Sequence, residues 1–196
     1  MQYLAIMIIA YVIGSLNFAI VISKLVLKKD IRDYGSKNAG TTNAFRIMGA
    51  KLGALVLVGD ISKAFIAVLI GSNMGGDKGK LLAGILVIIG HVYPVYFKFK
   101  GGKGVATATG MLLAFDLKMF AILFVIFMTV LLVTKFVSLS SLSAGAFLPF
   151  GMYIYYGDAI FVLTGTLIFL GVVYLHRANI VRLINHEENK ISFKKN

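Results

Sequence analysis

The sequence contains no cysteine, which excludes disulfides, thiolate nucleophiles and cysteine-ligated metal sites. Charged residues are also scarce, at 14% of the 196 positions, whereas a typical soluble domain carries about 25%. Hydrophobic residues make up 59% of the chain. These proportions predict an integral membrane protein that forms a single domain over residues 1–196.

Acidic residues number only eight, against twenty lysines and arginines, and none of the eight lies in a glycine-rich segment. The sequence also lacks a G-x-S-x-G nucleophile elbow and any aspartate five residues after a histidine. We therefore expect no metal site, no cofactor and no carboxylate general base. The net charge of +12 suggests nucleic acid, but no basic soluble domain is present to bind it, so we expect no nucleic-acid partner.

Seven apolar stretches predict seven transmembrane helices, some of them too short to cross a membrane unaided. With the N-terminus outside, seven segments place sixteen basic residues in inner loops and three in outer loops, in keeping with the excess of basic residues in cytoplasmic loops. We expect a compact multi-pass bundle in the bacterial plasma membrane, with its active site and C-terminus on the cytoplasmic side. The stretches are 3–23, 52–72, 80–97, 105–115, 119–133, 138–156 and 159–175, and the inner basic residues of the tail are Lys190, Lys194 and Lys195.

The first polar interruption covers residues 35–46 and reads GSKNAGTTNAFR. Its glycines allow tight turns and close backbone approach. Its serine and asparagines donate to phosphoryl oxygens, and Arg46 binds two such oxygens in a fork. An ordinary polar loop is the alternative, but the density of small polar residues favours a phosphate site.

The second interruption covers residues 100–107 and reads KGGKGVAT. It resembles a fragment of a P-loop, but the full spacing and a preceding strand are missing, so a nucleotide triphosphatase is not expected. Backbone N–H groups and Lys103 at the start of a helix attract an anion. The alternative is a flexible turn with a lysine that extends to the membrane surface.

The third interruption follows the last apolar stretch and reads HRANIVRLINHEEN over residues 176–189. On a continuing helix, His176 and Asn179 lie on one face. The alternative is an amphipathic tail helix that binds anionic lipid at the membrane surface.

Some polar residues interrupt the apolar stretches themselves. Asp60 and Lys63 are one helical turn apart, which predicts a structural ion pair. His91 lies three residues before Pro94 and is interpreted as a buried histidine near a helix kink. The hydroxyl side chains within residues 134–141 predict a side-chain cap where a helix begins.

The order of the blocks GSKNAGTTNAFR, GHVYPVYFKFKGGKGVAT, TKFVSLSS and HRANIVRLINHEEN resembles the bacterial acyl-phosphate:glycerol-3-phosphate acyltransferases of the PlsY family. The resemblance covers essentially the whole chain. It implies a seven-helix membrane bundle that transfers a fatty acyl group from acyl phosphate to the 1-hydroxyl of sn-glycerol 3-phosphate, the first step of phospholipid synthesis. The implied products are lysophosphatidic acid and phosphate. The implied partners are glycerol 3-phosphate, long-chain acyl phosphate, membrane lipid and, through functional coupling, the enzyme that makes acyl phosphate.

The sequence departs from the usual family pattern in three places. Glycine is usual at Lys37 and near His186, and proline or a larger residue is frequent at Ala39. The resemblance also implies a role for each matching residue. The implied mechanism is direct attack by the glycerol hydroxyl without an acyl-enzyme, its proton passing to a phosphate oxygen of the donor. The implied catalytic residues are Ser36, Arg46, Lys103, His176 and Asn179, and the implied substrate- or phosphate-binding residues are Asn38, Thr42, Asn43, Gly101, Gly102, Gly104, Thr107, Arg177, Arg182 and Glu188.

Two other functions suit an anion site in a membrane protein. A small transporter or channel for phosphorylated anions would distribute polar residues through the bilayer, whereas here polarity concentrates on one face. A phosphatidyl-transfer enzyme would need a cluster of metal-binding carboxylates, which the sequence does not provide.

Overall fold

A computed structural model describes residues 1–191, and the regular elements over that range are all helices. The all-helical class predicted from the sequence is confirmed. The chain falls into two compact units, Met1–Leu117 and Lys118–Asn196. The single domain expected from the sequence stays a prediction, and Lys194 and Lys195 lie outside the described residues.

Within residues 1–191, nine α-helices follow one another in sequence. The first unit contains α1 (Gln2–Gly14), α2 (Phe18–Ile22), α3 (Thr41–Val92) and α4 (Val105–Phe115), with a π-helical turn at Ser23–Leu27 and 3₁₀ turns at Ile31–Asp33 and Val95–Phe97. The second contains α5 (Leu117–Thr134), α6 (Val137–Ala146), α7 (Leu148–Tyr156), α8 (Ala159–Leu175) and α9 (Arg177–Ile184).

Helix α3 is a hairpin rather than one long rod. Its backbone leaves the helical region at Gly75 and Gly76, and the latter has a φ of 59° that favours glycine. Across the turn, a Cβ placed on Gly71 would lie only 2.5 Å from the Cβ of Ala83. The chain therefore reverses between these residues and forms two arms, 50–74 and 77–92. The first arm contains the apolar stretch expected at 52–72, and the second contains residues 80–92 of the stretch expected at 80–97.

The first apolar stretch is broken where a single helix was expected. Helix α1 ends at Gly14, and Asn17 begins α2 by accepting a hydrogen bond from the Ile20 N–H at 3.1 Å. The other end of the same side chain donates to the carbonyl oxygen of Ala39 at 3.0 Å, although Asn17 is fully buried. A buried amide with partners on both sides fixes the break, since unpaired polar groups in an apolar environment are costly.

Glycines let the helices of the first unit approach at backbone distance. A Cβ on Gly14 would overlap the Val87 carbonyl oxygen, and one on Gly90 would overlap that of Tyr11, so α1 packs directly on the second arm of α3. A Cβ on Gly110 of α4 would overlap the carbonyl oxygen of Ile61 in the first arm. Small residues at helix contacts are typical of membrane proteins, where close packing drives association.

The second unit is held by smaller apolar contacts. Met119 of α5 packs against Gly151 of α7, and Met152 packs against Gly165 of α8. The side-chain cap expected at the start of α6 is not found: Phe136 occupies that position without a side-chain hydrogen bond. Ser140 and Ser141 instead donate to the carbonyl oxygens four residues earlier, those of Phe136 at 2.8 Å and Val137 at 2.9 Å.

Four helical stretches of the described residues are long and apolar enough to cross a membrane. Helices α8 and α9, bent by 60° at His176, would make a fifth if they form one span. The second stretch includes both arms of the α3 hairpin. The seven predicted stretches all overlap helices, and their number as separate crossings stays a prediction. The four stretches are Gln2–Leu27, Thr41–Phe97, Leu117–Thr134 and Val137–Tyr156.

Replacement of Gly90 by alanine tests the close contact between α1 and α3. We expect Gly90→Ala to lower the thermal unfolding temperature in detergent by several degrees, because forcing an extra carbon into a packed interface costs about 1–3 kcal/mol. Gly171→Ala in α8 is the matched control, since a Cβ there meets no atom within 4 Å. A loss for Gly90→Ala no larger than that for Gly171→Ala would contradict this packing.

Candidate active site

The first glycine-rich segment is organised by one buried side chain, Asn43. Its Nδ2 donates to the carbonyl oxygens of Tyr34 at 3.0 Å and Asn38 at 3.1 Å, and its Oδ1 accepts the Ser36 N–H at 3.0 Å. A further contact reaches the Ile31 carbonyl oxygen at 3.3 Å. The amide predicted to bind substrate is therefore occupied by the loop itself and holds the loop closed.

Other residues of this segment face outward. Ser36, Thr42 and Arg46 are exposed, and Asn38 is partly exposed. Thr42 and Arg46 lie four residues apart on α3 and therefore share one face of its first turns. The loop thus buries Asn43 as its anchor and presents a hydroxyl and a guanidinium to a ligand.

The second segment folds back on the end of α3. The N–H of Gly101 donates to the Val92 carbonyl at 3.0 Å, and that of Gly102 donates to the His91 carbonyl at 3.2 Å. Gly104 then caps α4 with a φ of 78°, a left-handed conformation that favours glycine. Lys103, between these glycines, is half-buried.

The two glycine-rich segments meet at Gly102. A Cβ on this residue would lie 2.5 Å from the carbonyl oxygen of Ala39 and would overlap Nε2 of His91. Helix α3 is capped by Gly40, and α4 by Gly104, so two helix N-termini begin within two residues of the contact. Because helix N-termini carry unpaired N–H groups and partial positive charge, this junction suits an anion such as a phosphate.

Two buried hydroxyls at these N-termini add to the polar character of the junction. Thr41 and Thr107 each lie in the first turn of their helix. Neither Oγ1 has a hydrogen-bond partner among the residues that the structure describes. Thr107 was predicted to bind substrate, and Thr41 was not.

Arg32 joins the two segments, and sequence reasoning missed it. Its Nη1 donates to the carbonyl oxygens of Phe97 at 2.8 Å and Lys100 at 3.0 Å. Its Nε and Nη2 bind the Asp30 carboxylate at 2.9 and 2.7 Å. These hydrogen bonds hold the pKa of Asp30 well below its usual range, although partial burial acts in the opposite direction. Only the neighbouring aspartate, two residues away, hinted at this role.

A buried ionic cluster contacts the junction through His91. Lys63 Nζ lies 2.8 Å from Asp60 Oδ1, so the predicted pairing within α3 is confirmed. The same nitrogen donates to the Leu16 carbonyl oxygen at 2.7 Å and contacts His91 Nδ1 at 2.9 Å. The cluster therefore contains three side chains rather than two, and His91 connects it to Gly102.

In the second unit the tail folds around the Glu188 carboxylate. Its Oε1 accepts from Asn179 Nδ2 at 2.7 Å and Ser138 Oγ at 2.8 Å, and its Oε2 accepts from Arg182 Nε at 2.7 Å. Burial raises the pKa of Glu188, but these three hydrogen bonds outweigh it and leave the pKa below its ordinary value. Glu188, predicted to bind substrate, thus links α9 to the start of α6 and orients Asn179.

His176 lies at the bend between α8 and α9 and is buried. Its Nδ1 is 2.8 Å from the Val172 carbonyl oxygen, which can only accept a hydrogen bond. In the neutral ring the proton therefore sits on Nδ1, and Nε2 is the accepting nitrogen. The exposed Arg177 lies over the Tyr174 ring at 4.5 Å and donates to its carbonyl oxygen.

Lys37, which stands where glycine is usual, and His186, which lies near a usual glycine, both adopt left-handed backbone. Lys37 has a φ of 57° and His186 a φ of 59°. His186 ends α9 as a glycine would, with its own N–H bonded to Leu183 and the next N–H bonded to Arg182. The substitutions therefore retain the turn geometry, at a cost of roughly 1–2 kcal/mol each.

A cavity of about 280 Å³ lies beside the first segment. Its walls are formed by three aliphatic residues, one tyrosine, one lysine and one serine. The lining residues are Ser23, Leu27, Lys29, Ile31, Tyr34 and Ile47. Within residues 1–191 no group of three or more histidine, aspartate or glutamate side chains is placed to hold a metal ion.

Comparison with known proteins gives consistent results over nearly the whole chain. A family model described as glycerol-3-phosphate acyltransferase matches residues 4–186. The chain is 43% identical over 188 residues to glycerol-3-phosphate acyltransferase 2 of Bacillus anthracis, covering 94% of this chain and 97% of that one. It is 42% identical over 186 residues to glycerol-3-phosphate acyltransferase of Bacillus subtilis (strain 168), covering 95% and 96%.

Two solved structures have the same fold. The crystal structure of PlsY (YgiH), an integral membrane glycerol 3-phosphate acyltransferase, in its glycerol 3-phosphate form superposes with a TM-score of 0.93 at 34% identity. Its lysophosphatidic acid form gives a TM-score of 0.89. Each match covers 98% of this chain and 96% of the other.

The Glu188 hydrogen bonds predict a defined pH dependence. Because the folded state lowers this pKa, the carboxylate stabilises the fold fully above its ordinary value of 4.5 and loses that contribution as the pH falls below it. We expect Glu188→Gln to lower the unfolding temperature at pH 7 by about 5 °C, and the gap to wild type to narrow below pH 4.5.

Glu187→Gln is the matched control for this measurement, because it makes the same charge change at an exposed neighbour. We expect it to leave the unfolding temperature nearly unchanged at pH 7. A gap between wild type and Glu188→Gln that stays constant from pH 7 to pH 4 would contradict the assignment.

Proposed function

Because this chain belongs to the glycerol-3-phosphate acyltransferase family, we propose that it transfers a long-chain acyl group from acyl phosphate to the 1-hydroxyl of sn-glycerol 3-phosphate. The products would be lysophosphatidic acid and phosphate. The observation that carries the proposal is the junction at Gly102, where two glycine-rich segments and two helix N-termini meet. Such a junction fits a reaction in which both substrates carry a phosphate.

We assign the binding of phosphate to two exposed side chains and one half-buried side chain at this junction. Exposed Arg46 supplies a guanidinium fork, exposed Ser36 a hydroxyl and half-buried Lys103 an ammonium. Charge-assisted contacts of this kind are stronger than neutral ones. Holding both phosphates in place would convert the encounter of two substrates into a reaction between neighbours, a large contribution to rate.

The proposed chemistry needs no covalent enzyme intermediate. The glycerol 1-hydroxyl oxygen attacks the acyl carbon, the bond from that carbon to the phosphate oxygen breaks, and phosphate leaves. The hydroxyl proton passes to a phosphate oxygen of the donor, so no carboxylate base is required. In support, the carboxylates of Asp30 and Asp60 are held in ion pairs by Arg32 and Lys63.

We propose that His176 and Asn179 orient the reacting groups. His176 presents Nε2 as an acceptor because Nδ1 is bonded to the helix backbone. Asn179 is held by Glu188, which fixes its amide. We propose positioning roles for Asn43 and Glu188, since their hydrogen bonds go to the protein itself.

We further propose that the N-terminus lies outside, that the junction and the tail lie on the cytoplasmic side, and that the protein is functionally coupled to the enzyme that makes acyl phosphate. The excess of basic residues in the loops on the proposed inner side supports this orientation. A cytoplasmic site would also receive soluble glycerol 3-phosphate directly.

Donor choice and the anion site can be tested with purified protein and labelled glycerol 3-phosphate. We expect turnover with acyl phosphate and none with acyl-CoA.

Arg46→Ala should lower kcat/KM about 10- to 100-fold by removing a charge-assisted contact, and Arg46→Lys should recover only part of it. Lys51→Ala, an exposed cation further along α3, is the control and should retain full activity. Comparable turnover with acyl-CoA would refute the donor, and equal kinetics for Arg46→Ala and Lys51→Ala would refute the site.

Orientation can be tested by thiol labelling, because the chain has no cysteine of its own. Lys78 and Asn189 are both exposed. Lys78 is chosen in place of Gly76, because the positive φ of Gly76 would strain a cysteine at that position. In intact cells, Lys78→Cys should react with an impermeant thiol reagent and Asn189→Cys should not. The reverse pattern would overturn the proposed orientation.

A further inference from the structure

The ionic cluster of Asp60, Lys63 and His91 is buried inside the α3 hairpin and has no part in the proposed chemistry. Asp60 is 0% exposed, Lys63 5% and His91 2%. Ionisable groups inside a membrane segment are costly and are rarely present without a function. The contacts of the three side chains indicate what the function of this cluster is.

Lys63 fixes the protonation of His91. An ammonium group has three N–H donors and no acceptor. The three nearest partners of Nζ are the Leu16 carbonyl oxygen at 2.7 Å, Asp60 Oδ1 at 2.8 Å and His91 Nδ1 at 2.9 Å. Nδ1 of His91 also lies 3.4 Å from Asp60 Oδ1, which is farther away than Lys63 Nζ at 2.9 Å. Because the nearer group, the ammonium, can only donate, the contact favours an accepting Nδ1 and places the proton of the neutral imidazole on Nε2.

The protonated nitrogen of His91 faces the junction. A Cβ on Gly102 would overlap Nε2 and would lie 3.2 Å from Cδ2 of the same ring. The backbone of His91 binds the same glycine, because its carbonyl oxygen accepts the Gly102 N–H at 3.2 Å. His91 therefore contacts Gly102 with both its main chain and its ring, directly before Lys103.

We propose that His91 is a positioning residue for the second glycine-rich segment. Lys63, neutralised by Asp60, holds the imidazole in the Nε2–H form, and the ring sets Gly102 against Ala39. The position of Lys103 and of the α4 N-terminus then depends on a side chain anchored in the first arm of α3. His176, whose Nδ1 faces a carbonyl oxygen, has the opposite tautomer.

The tautomer can be read directly by nitrogen NMR of the full-length protein labelled in its histidine side chains. The chain has three histidines, and His91→Gln identifies the signals of His91 by their loss. We expect the Nε2–H form for His91 and the Nδ1–H form for His176. A doubly protonated or Nδ1–H ring at His91 would overturn the proposal, and this outcome does not depend on enzyme activity.

Kinetics test the positioning role, and this arm rests on the proposed acyl transfer. Glutamine at position 91 places an N–H donor close to the imidazole Nε2, whereas asparagine places an acceptor close to Nδ1 and leaves the side towards Gly102 empty. We expect His91→Asn to lower kcat at least tenfold with a smaller change in KM, and His91→Gln to stay within about fivefold of wild type. His186→Asn, the same change at an exposed residue that tolerates left-handed backbone, should be fully active.

Each outcome decides the matter once the folded fraction of each variant is measured by thermal unfolding. Activity that is higher in His91→Gln than in His91→Asn at equal folded fraction supports the proposal that an N–H group at position 91 positions the second glycine-rich segment. Activity in His91→Asn equal to or above that in His91→Gln would refute it and would mean that the ring only fills space. Wild-type protein without acyl transfer would refute the proposed function and leave the NMR result standing.

Discussion

The three contacts of the Lys63 ammonium are the interaction on which the first unit depends. They reach the Leu16 carbonyl oxygen between α1 and α2, the Asp60 carboxylate one turn back on the first arm of α3, and the His91 ring on the second arm. In an apolar medium a charge must be fully paired, so the three segments cannot drift apart without exposing it. The Lys63 ammonium thereby holds the segment between α1 and α2 against both arms of α3, and through His91 it contacts the second glycine-rich segment.

Close packing around this charge relies on residues without side chains. Gly14, Gly90 and Gly110 each bring a helix against the backbone of a neighbour, where a methyl group would overlap a carbonyl oxygen. Lipid tails are as apolar as leucine, so burial alone gives such helices little reason to associate. Backbone proximity and the buried polar contacts together replace the hydrophobic drive of a soluble core.

Local features of this architecture could be predicted from the sequence, and long-range ones could not. The Asp60–Lys63 pair follows from helical spacing, and the glycine segments follow from composition. His91 is 28 residues from Lys63, and Arg32 is 65 residues from the carbonyl of Phe97 that it binds, so no local pattern signals either contact. The inward role of Asn43 was missed for a related reason: the motif shows which residue types are present, and only the fold shows which way an amide points.

The left-handed turns at Lys37 and His186 show what the fold requires at those two positions. The requirement is a backbone shape, and glycine is only the residue that meets it with least strain. Once neighbouring hydrogen bonds hold that shape, the position becomes free to carry a charge or a titratable ring near the polar face. Substitution of glycine at such positions can therefore change the surface charge while the backbone of the site keeps its shape. A sequence motif that requires glycine there would overlook active members of the family.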